Sequence, residues 1–175
     1  VWRRRTAQAF ALAAGLALQL LPWSLRNLSI GGQLTVTTQT LAALPAGTVP
    51  KPWQASLAHQ CAALEGDLEY HLLANHLVKN GKALLFGGVF FKGPRADRWR
   101  ELGLGILTRE ADEQLLPDGG HFERSPMYHC IVLEDYLDVV NLLTRNPALA
   151  PADALATLSA AARRATAFLR GILTG

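Results

Sequence analysis

Apolar residues recur along this chain at the three- and four-residue spacing of an α-helix, and the helix formers Leu and Ala dominate over β-branched residues. Glycines and prolines cut the pattern into segments. The first predicted helix covers about residues 6–20 and stops at Pro22. A Thr-rich polar stretch, 31–40, reads as loop or a short extended piece, and 45–52 as loop. A long helical region is expected over 53–85, with a break near Gly66, and Gly87-Gly88 is expected to end it. Pro94 opens another helix through about Leu116, weakened by Gly103 and Gly105. Residues 117–120 form a turn, Ser125-Pro126 starts a helix that reaches Leu143, and Pro151 starts the last. Ser125 suits the N-cap and Pro126 the first helical position, where a missing amide hydrogen costs nothing. Sequential helices with short turns imply antiparallel hairpins, so the predicted fold class is all-α.

Composition changes this picture little. Half of the 175 residues are hydrophobic and 18% are charged, the balance of a folded domain. The net charge of +3 is too small to specify a partner. Nucleic acid is disfavoured, because no basic stripe is interleaved with aromatics. Arg3-Arg4-Arg5 followed by an apolar run mimics a signal peptide, but the run is interrupted by Gln8 and Gln19 and is too short to span a membrane. An ordinary domain helix is expected there, with no stable membrane insertion. Cys61 and Cys130 are expected to be buried free thiols. The chain opens on Val and stops at Gly175, as expected of a piece of a longer polypeptide.

Strong catalytic signatures are absent: no phosphate loop, no nucleophile elbow, no His-Glu-x-x-His and no Cys-x-x-Cys. Two segments concentrate hydrogen-bonding side chains. In the first, Glu69 to Asn80, a continuous helix would align Glu69, His76 and Asn80 on one arc and His71 with Asn75, opposite a core face of Tyr70, Leu73, Ala74, Leu77, Val78, Leu84 and Leu85. That arc is either a polar cavity or a solvated helix face. The second, Asp118 to His129, puts Tyr128 and His129 in the first turn of a helix, where unpaired amides favour an anionic group. A buried tyrosine beside a surface histidine is the alternative. The five-residue separation of His71 and His76 does not suit a helical metal pair, and neither metal nor cofactor is expected.

Taken together, Glu69-Tyr70-His71-Leu72-Leu73-Ala74-Asn75-His76-Leu77, Lys82-Ala83-Leu84-Leu85-Phe86 and Asp118-Gly119-Gly120-His121-Phe122-Glu123-Arg124-Ser125-Pro126-Met127-Tyr128-His129 resemble the heparinase II/III-like family of polysaccharide lyases. Pro22-Trp23-Ser24-Leu25-Arg26 is a fainter match. The resemblance covers about residues 53–143 and implies a fold and a reaction. The fold is an incomplete (α/α) toroid followed by a β-sandwich. Residues 1–175 would then be part of the toroid, and no β-rich half is visible in them. The reaction is β-elimination at a uronic acid, with Asn75 and His76 neutralising its carboxylate and Tyr128 moving protons at the scissile bond. His71, Glu123, Arg124 and His129 are weaker candidates for substrate contact. A further family histidine lies in the portion not seen here.

What the resemblance implies, then, is a helical catalytic-domain fragment of a lyase acting on an acidic polysaccharide, glycosaminoglycan or alginate, in a periplasmic or secreted setting. The competing readings are a non-catalytic carbohydrate-binding or scaffold toroid and a membrane-associated helical protein.

Overall fold

The computed structural model describes Val49, residues 51–72 and residues 74–174. The predicted first helix, the Thr-rich stretch and the arginine-rich start lie outside these residues. Within them the fold is all-α: α1 (Lys51–Gly66), α2 (Asn75–Phe90), α3 (Pro94–Gln114), α4 (Pro126–Arg145) and α5 (Ala152–Thr174), with a 3₁₀ turn at Pro147–Leu149 before α5. No strand occurs among the described residues, only an isolated antiparallel bridge between Leu115 and His121.

α2 is the central element. It packs against α1, α3 and α4, while α5 covers α3 and α4. Leu77, Val78, Leu84, Leu85 and Phe86 of α2 are buried, together with Gly81, Gly87 and Gly88, so this helix is enclosed on most of its circumference. One core cluster joins Cys61 of α1, Leu77 and Leu84 of α2, and Trp99 and Ile106 of α3. Burial raises the pKa of the Cys61 thiol. Cys61 and Cys130 are both free, and Cys130 is exposed rather than buried, because it points outward from the first turns of α4.

The break expected at Gly87-Gly88 is absent, and the helix expected from Pro94 forms despite its two glycines. α2 runs through Gly87-Gly88 to Phe90, and α3 runs unbroken through Gly103 and Gly105. The reason is close approach of the two helices. A Cβ on Gly88 would lie 2.5 Å from the Arg100 amide nitrogen and 2.7 Å from the Ala96 carbonyl oxygen. At the other end of the crossing, a Cβ on Gly103 would lie 2.6 Å from both the Gly81 carbonyl and the Leu85 nitrogen. These contacts pair the start of α2 with the middle of α3 and the end of α2 with its start, so the two run antiparallel. The glycines are there for space.

A further difference concerns the polar segment. Residues 67–72 and Ala74 are not helical, and α2 begins only at Asn75. Tyr70 therefore leaves the core and is 52% exposed, and His71 and Asn75 do not share a helix face. Glu69 nevertheless meets Asn80 as the helical alignment anticipated, because the loop folds back onto α2. Asn80 Nδ2 donates to Glu69 Oε2 at 2.7 Å, and Glu69 N–H donates to Asn80 Oδ1 at 2.9 Å.

Ion pairs tie α2 to α4. Asp135 is fully buried and accepts from Lys79 Nζ at 2.7 Å and Lys82 Nζ at 2.9 Å, and Lys82 also reaches Asp138 at 2.6 Å. Burial works against the Lys82 charge, but the two carboxylates outweigh it and hold its pKa above the ordinary value. Removing one partner would strand a buried charge.

The glycine pair in α3 makes a sharp prediction. Gly103→Ala meets backbone atoms and is expected to lower stability by about 1–3 kcal/mol. Gly105→Ala, whose Cβ has nothing within 4 Å, is expected to raise it by about 0.5–1 kcal/mol through helix propensity alone. Thermal or urea unfolding of the two variants beside the parent measures both, and equal effects would refute the close-approach argument.

Candidate functional site

Asn75 and His76 open α2. Ala74, the residue before them, has φ 74° and ψ −144°, a conformation that L-residues rarely adopt. α2 has no side-chain cap and no acidic residue in its first turn. Its first amides, which have no acceptor within the helix, present donors and the positive end of the helix dipole. Asn75 is half-buried beside them. His76 is exposed, with Nδ1 3.6 Å from the Glu69 carboxylate. His71 is exposed in the preceding loop.

Tyr128 is the third residue of α4 and is half-buried. Ser125 caps this helix as predicted, its Oγ accepting from Tyr128 N–H at 3.5 Å, and Pro126 follows at the first position. Arg124, just before the cap, has φ 53°. Ala74 and Arg124 are the two non-glycine residues with positive φ among the described residues, and each stands just before one of the two helix starts. Arg124 and Glu123 are exposed, and Glu123 Oε2 lies 3.6 Å from His121 Nδ1.

A chain of buried hydrogen bonds runs between the two helix starts. Gln114, at the end of α3, donates from Nε2 to the Ala74 carbonyl at 2.7 Å and to Glu110 Oε2 at 2.8 Å. With both of its hydrogens used, Gln114 offers Oε1 as acceptor, so His121 Nε2, 3.0 Å away, donates to it. The His121 backbone N–H donates to His129 Nδ1 at 3.2 Å. His129 Nε2 then carries its hydrogen and donates to the Ala165 carbonyl of α5 at 3.0 Å. Every member from Glu110 through Gln114 and His121 to His129 is buried. His129 is thus neither a surface residue nor open to solvent: it is 2% exposed, with both ring nitrogens engaged and its ring 5.2 Å from that of Phe168.

The loop between α3 and α4 is fixed by its own backbone. Leu116 N–H donates to Gly120 O, Phe122 N–H to Gln114 O, and Gly120 N–H to Asp118 Oδ1, each at 2.9 Å. Gly119 has φ 90°, and a Cβ there would come within 2.3 Å of the Arg164 carbonyl oxygen on α5. At the outer end, the Arg109 guanidinium pairs with Glu110 at 2.9 Å and lies 5.5 Å over the Tyr70 ring.

Of the residues singled out from sequence, Asn75, His76 and Glu69 are gathered at the start of α2, and Tyr128, Arg124 and Glu123 at the start of α4. Gln114 and Glu110, which connect the two starts, were not anticipated. The sequence does carry a signal for them: they stand at i, i+4 on the apolar face of α3, beside buried Leu107 and Ala111. Among the described residues no cluster of His, Cys, Asp and Glu could hold a metal ion, and no helix is long and apolar enough to cross a membrane.

The family model "Heparinase II/III N-terminus" matches residues 55–165, a span that holds both helix starts and the chain between them. The chain belongs to this family. Similar curated proteins are a heparin-sulfate lyase of Bacteroides stercoris, 32% identical over 74 residues, or 42% of this chain and 11% of the relative, and one of Pedobacter heparinus, 36% identical over 64 residues, or 36% of this chain and 10% of the relative. A third, from Bacteroides thetaiotaomicron, is 30% identical over 81 residues, or 46% of this chain and 12% of the relative. The stretches matched in this heparinase II/III member thus span about a tenth of those relatives' length. No solved structure matches the chain.

In this family member, His121 gives a pH prediction. Burial, with a smaller effect of His129, pushes its pKa down to about 4 from an ordinary 6.5. The folded state therefore favours the neutral imidazole, while the unfolded chain takes up a proton below about pH 6.5. The resulting stability is complete above that pH and falls as pH drops from about 6.5 to 4, by on the order of 3 kcal/mol in all. Replacing His121 with Gln should flatten this part of the melting temperature against pH curve relative to the parent. Parallel curves would show that His121 does not titrate in this way.

Proposed function

We propose that this chain is the N-terminal helical part of a polysaccharide lyase that cleaves a uronic-acid-containing acidic polysaccharide by β-elimination. Its hairpins would form part of an incomplete (α/α) toroid, completed by a β-sandwich domain in the whole protein. The observation that carries the reading is the pair of strained helix entrances, Ala74 before Asn75-His76 and Arg124 before Ser125 to Tyr128, joined by one buried hydrogen-bond chain. Strain of this kind costs about 1–3 kcal/mol per residue and is retained where it orients functional groups.

The chemistry follows from the demands of the elimination. Abstracting the C5 proton pushes charge onto the uronate carboxylate, so donors aimed at that carboxylate lower the barrier. The first-turn amides of α2, the Asn75 side-chain amide and the His76 imidazole are suited to supply such donors. The Tyr128 phenol is suited to give a proton to the departing glycosidic oxygen, and to take the C5 proton when ionised. Arg124 and Glu123, both exposed, and His71 are assigned to substrate contact. His129 is assigned a role through its neighbour Tyr128, since its ring is occupied. Heparin-sulfate lyase is the name of the similar proteins, and a sulfated glycosaminoglycan is accordingly the first substrate to try. Export to the periplasm or the medium belongs to the same reading, and fractionation of cells making the intact protein tests it.

The full-length protein is expected to generate unsaturated uronate, read by its ultraviolet absorbance, from at least one polymer in a panel of heparan-type and alginate-type substrates. Tyr128→Phe should lower kcat by about 10²–10⁴-fold, and Asn75→Ala by about 10²–10³-fold. Full activity in Tyr128→Phe would remove that residue from the mechanism. Oligosaccharide binding with no product from any polymer would instead identify a carbohydrate-binding module.

A further inference from the structure

Gln114 sits on neither polar segment and is 2% exposed, yet it is the point at which they are joined. Its side chain holds the carbonyl of Ala74, forty residues earlier, and accepts from the His121 ring, seven residues later. The Ala74 carbonyl belongs to the peptide that Asn75 N–H completes. Fixing that oxygen fixes the plane from which α2 starts and the direction in which Asn75 leaves it. The restraint matters because Ala74 is held at a φ of 74°, from which an unrestrained alanine would relax.

From His121 the restraint continues through its own backbone amide to His129, the residue next to Tyr128. Each bond in this path has a defined direction. Gln114 is a double donor and single acceptor, His121 donates twice, and His129 accepts once and donates once. Donors and acceptors along the path match in sequence, with His121 Nδ1 the one buried ring nitrogen in it that lacks a hydrogen-bond partner, and this matching makes the path stiff. Glu110, paired with Arg109, takes the remaining Gln114 hydrogen and prevents the amide from flipping.

We propose that Gln114 is a positioning residue that sets Asn75 at the start of α2 and Tyr128 at the start of α4 in mutual register, acting through Ala74 on one side and His121–His129 on the other. This rests on the lyase reading of Asn75 and Tyr128. It adds a residue that touches no substrate and whose loss acts on the rate of the chemical step.

Gln114→Met keeps the length and volume of the side chain and removes all three hydrogen bonds. In the full-length protein, kcat is expected to fall about 10–100-fold with KM changed less than about threefold, a misplacement effect of the size that orientation loss gives. Gln114→Met added to Asn75→Ala should cost much less than it costs the parent, because the group it positions is gone. Hydrogen–deuterium exchange supplies a readout independent of activity: exchange should rise in segments 69–80 and 121–129 together, with α5 beyond Phe168 unchanged. Unchanged exchange in 69–80, or a parental kcat in Gln114→Met at a temperature where both are folded, overturns the proposal. A Tyr128→Phe variant with full activity, beside a Gln114→Met that exchanges faster, would sink the lyase reading while leaving the mechanical coupling standing.

Discussion

The hydrogen bond from Gln114 to the Ala74 carbonyl joins the last turn of α3 to the residue just before α2, and the rest of the polar interior is arranged around it. Glu110 takes the second amide hydrogen, Arg109 takes the Glu110 charge, and His121 takes the amide oxygen. Gln114, Glu110 and His121 are buried and would be costly if left alone, while Arg109 is exposed. A network of directed hydrogen bonds favours one geometry, whereas an apolar contact of the same area would tolerate sliding. That difference explains why a helical protein with an ample Leu and Ala core also buries an amide, a carboxylate and two imidazoles at one end of α3.

The apolar part of the fold makes the same demand by other means. α2 and α3 approach so closely at Gly81, Gly88 and Gly103 that backbone packs on backbone. At such a crossing no side chain can rotate to absorb a shift, so the register of the two helices is set by atoms that cannot move. On the far side of α2, the Lys79 and Lys82 pairs with Asp135 fix α4. Between these anchors, the start of α2 and the start of α4 are positioned from both sides of the central helix.

Helix positions, the Ser125 cap and the Asp118-Gly119-Gly120 turn were legible because each depends on local chemistry: periodicity, a capping hydroxyl, a φ that glycine allows. The expected break at Gly87-Gly88 failed for a tertiary reason, whereas the helix expected through Gly103 and Gly105 formed. Glycine weakens an isolated helix, but here tertiary contact requires its missing side chain. The 69–80 segment was half legible. Composition marked it as polar and helical alignment linked Glu69 to Asn80, but a continuous helix could not reveal the non-helical stretch at 67–72 that turns Tyr70 outward. Cys130 was read as buried from its apolar neighbours, although it faces away from the α4 core stripe of Val132, Leu133 and Tyr136. The roles given to Asn75, His76 and Tyr128 came from family resemblance, and periodicity alone would have left them as surface or core. Gln114 and Glu110 were visible as polar residues on an apolar face, but their partners lie 40 residues back and on a loop, beyond any local pattern.

The contact of Gly119 with the Arg164 carbonyl, and of His129 with the Ala165 carbonyl and Phe168, has a practical consequence for where the chain can be cut. The motif from Asp118 to His129 looks self-contained in sequence, and a boundary drawn after the 3₁₀ turn at Pro147–Leu149 would seem generous. Such a truncation would remove the acceptor of His129 Nε2, bare the imidazole to water and leave the glycine turn with no surface to rest on. Any piece that preserves these contacts of the loop must therefore retain α5 at least through Phe168.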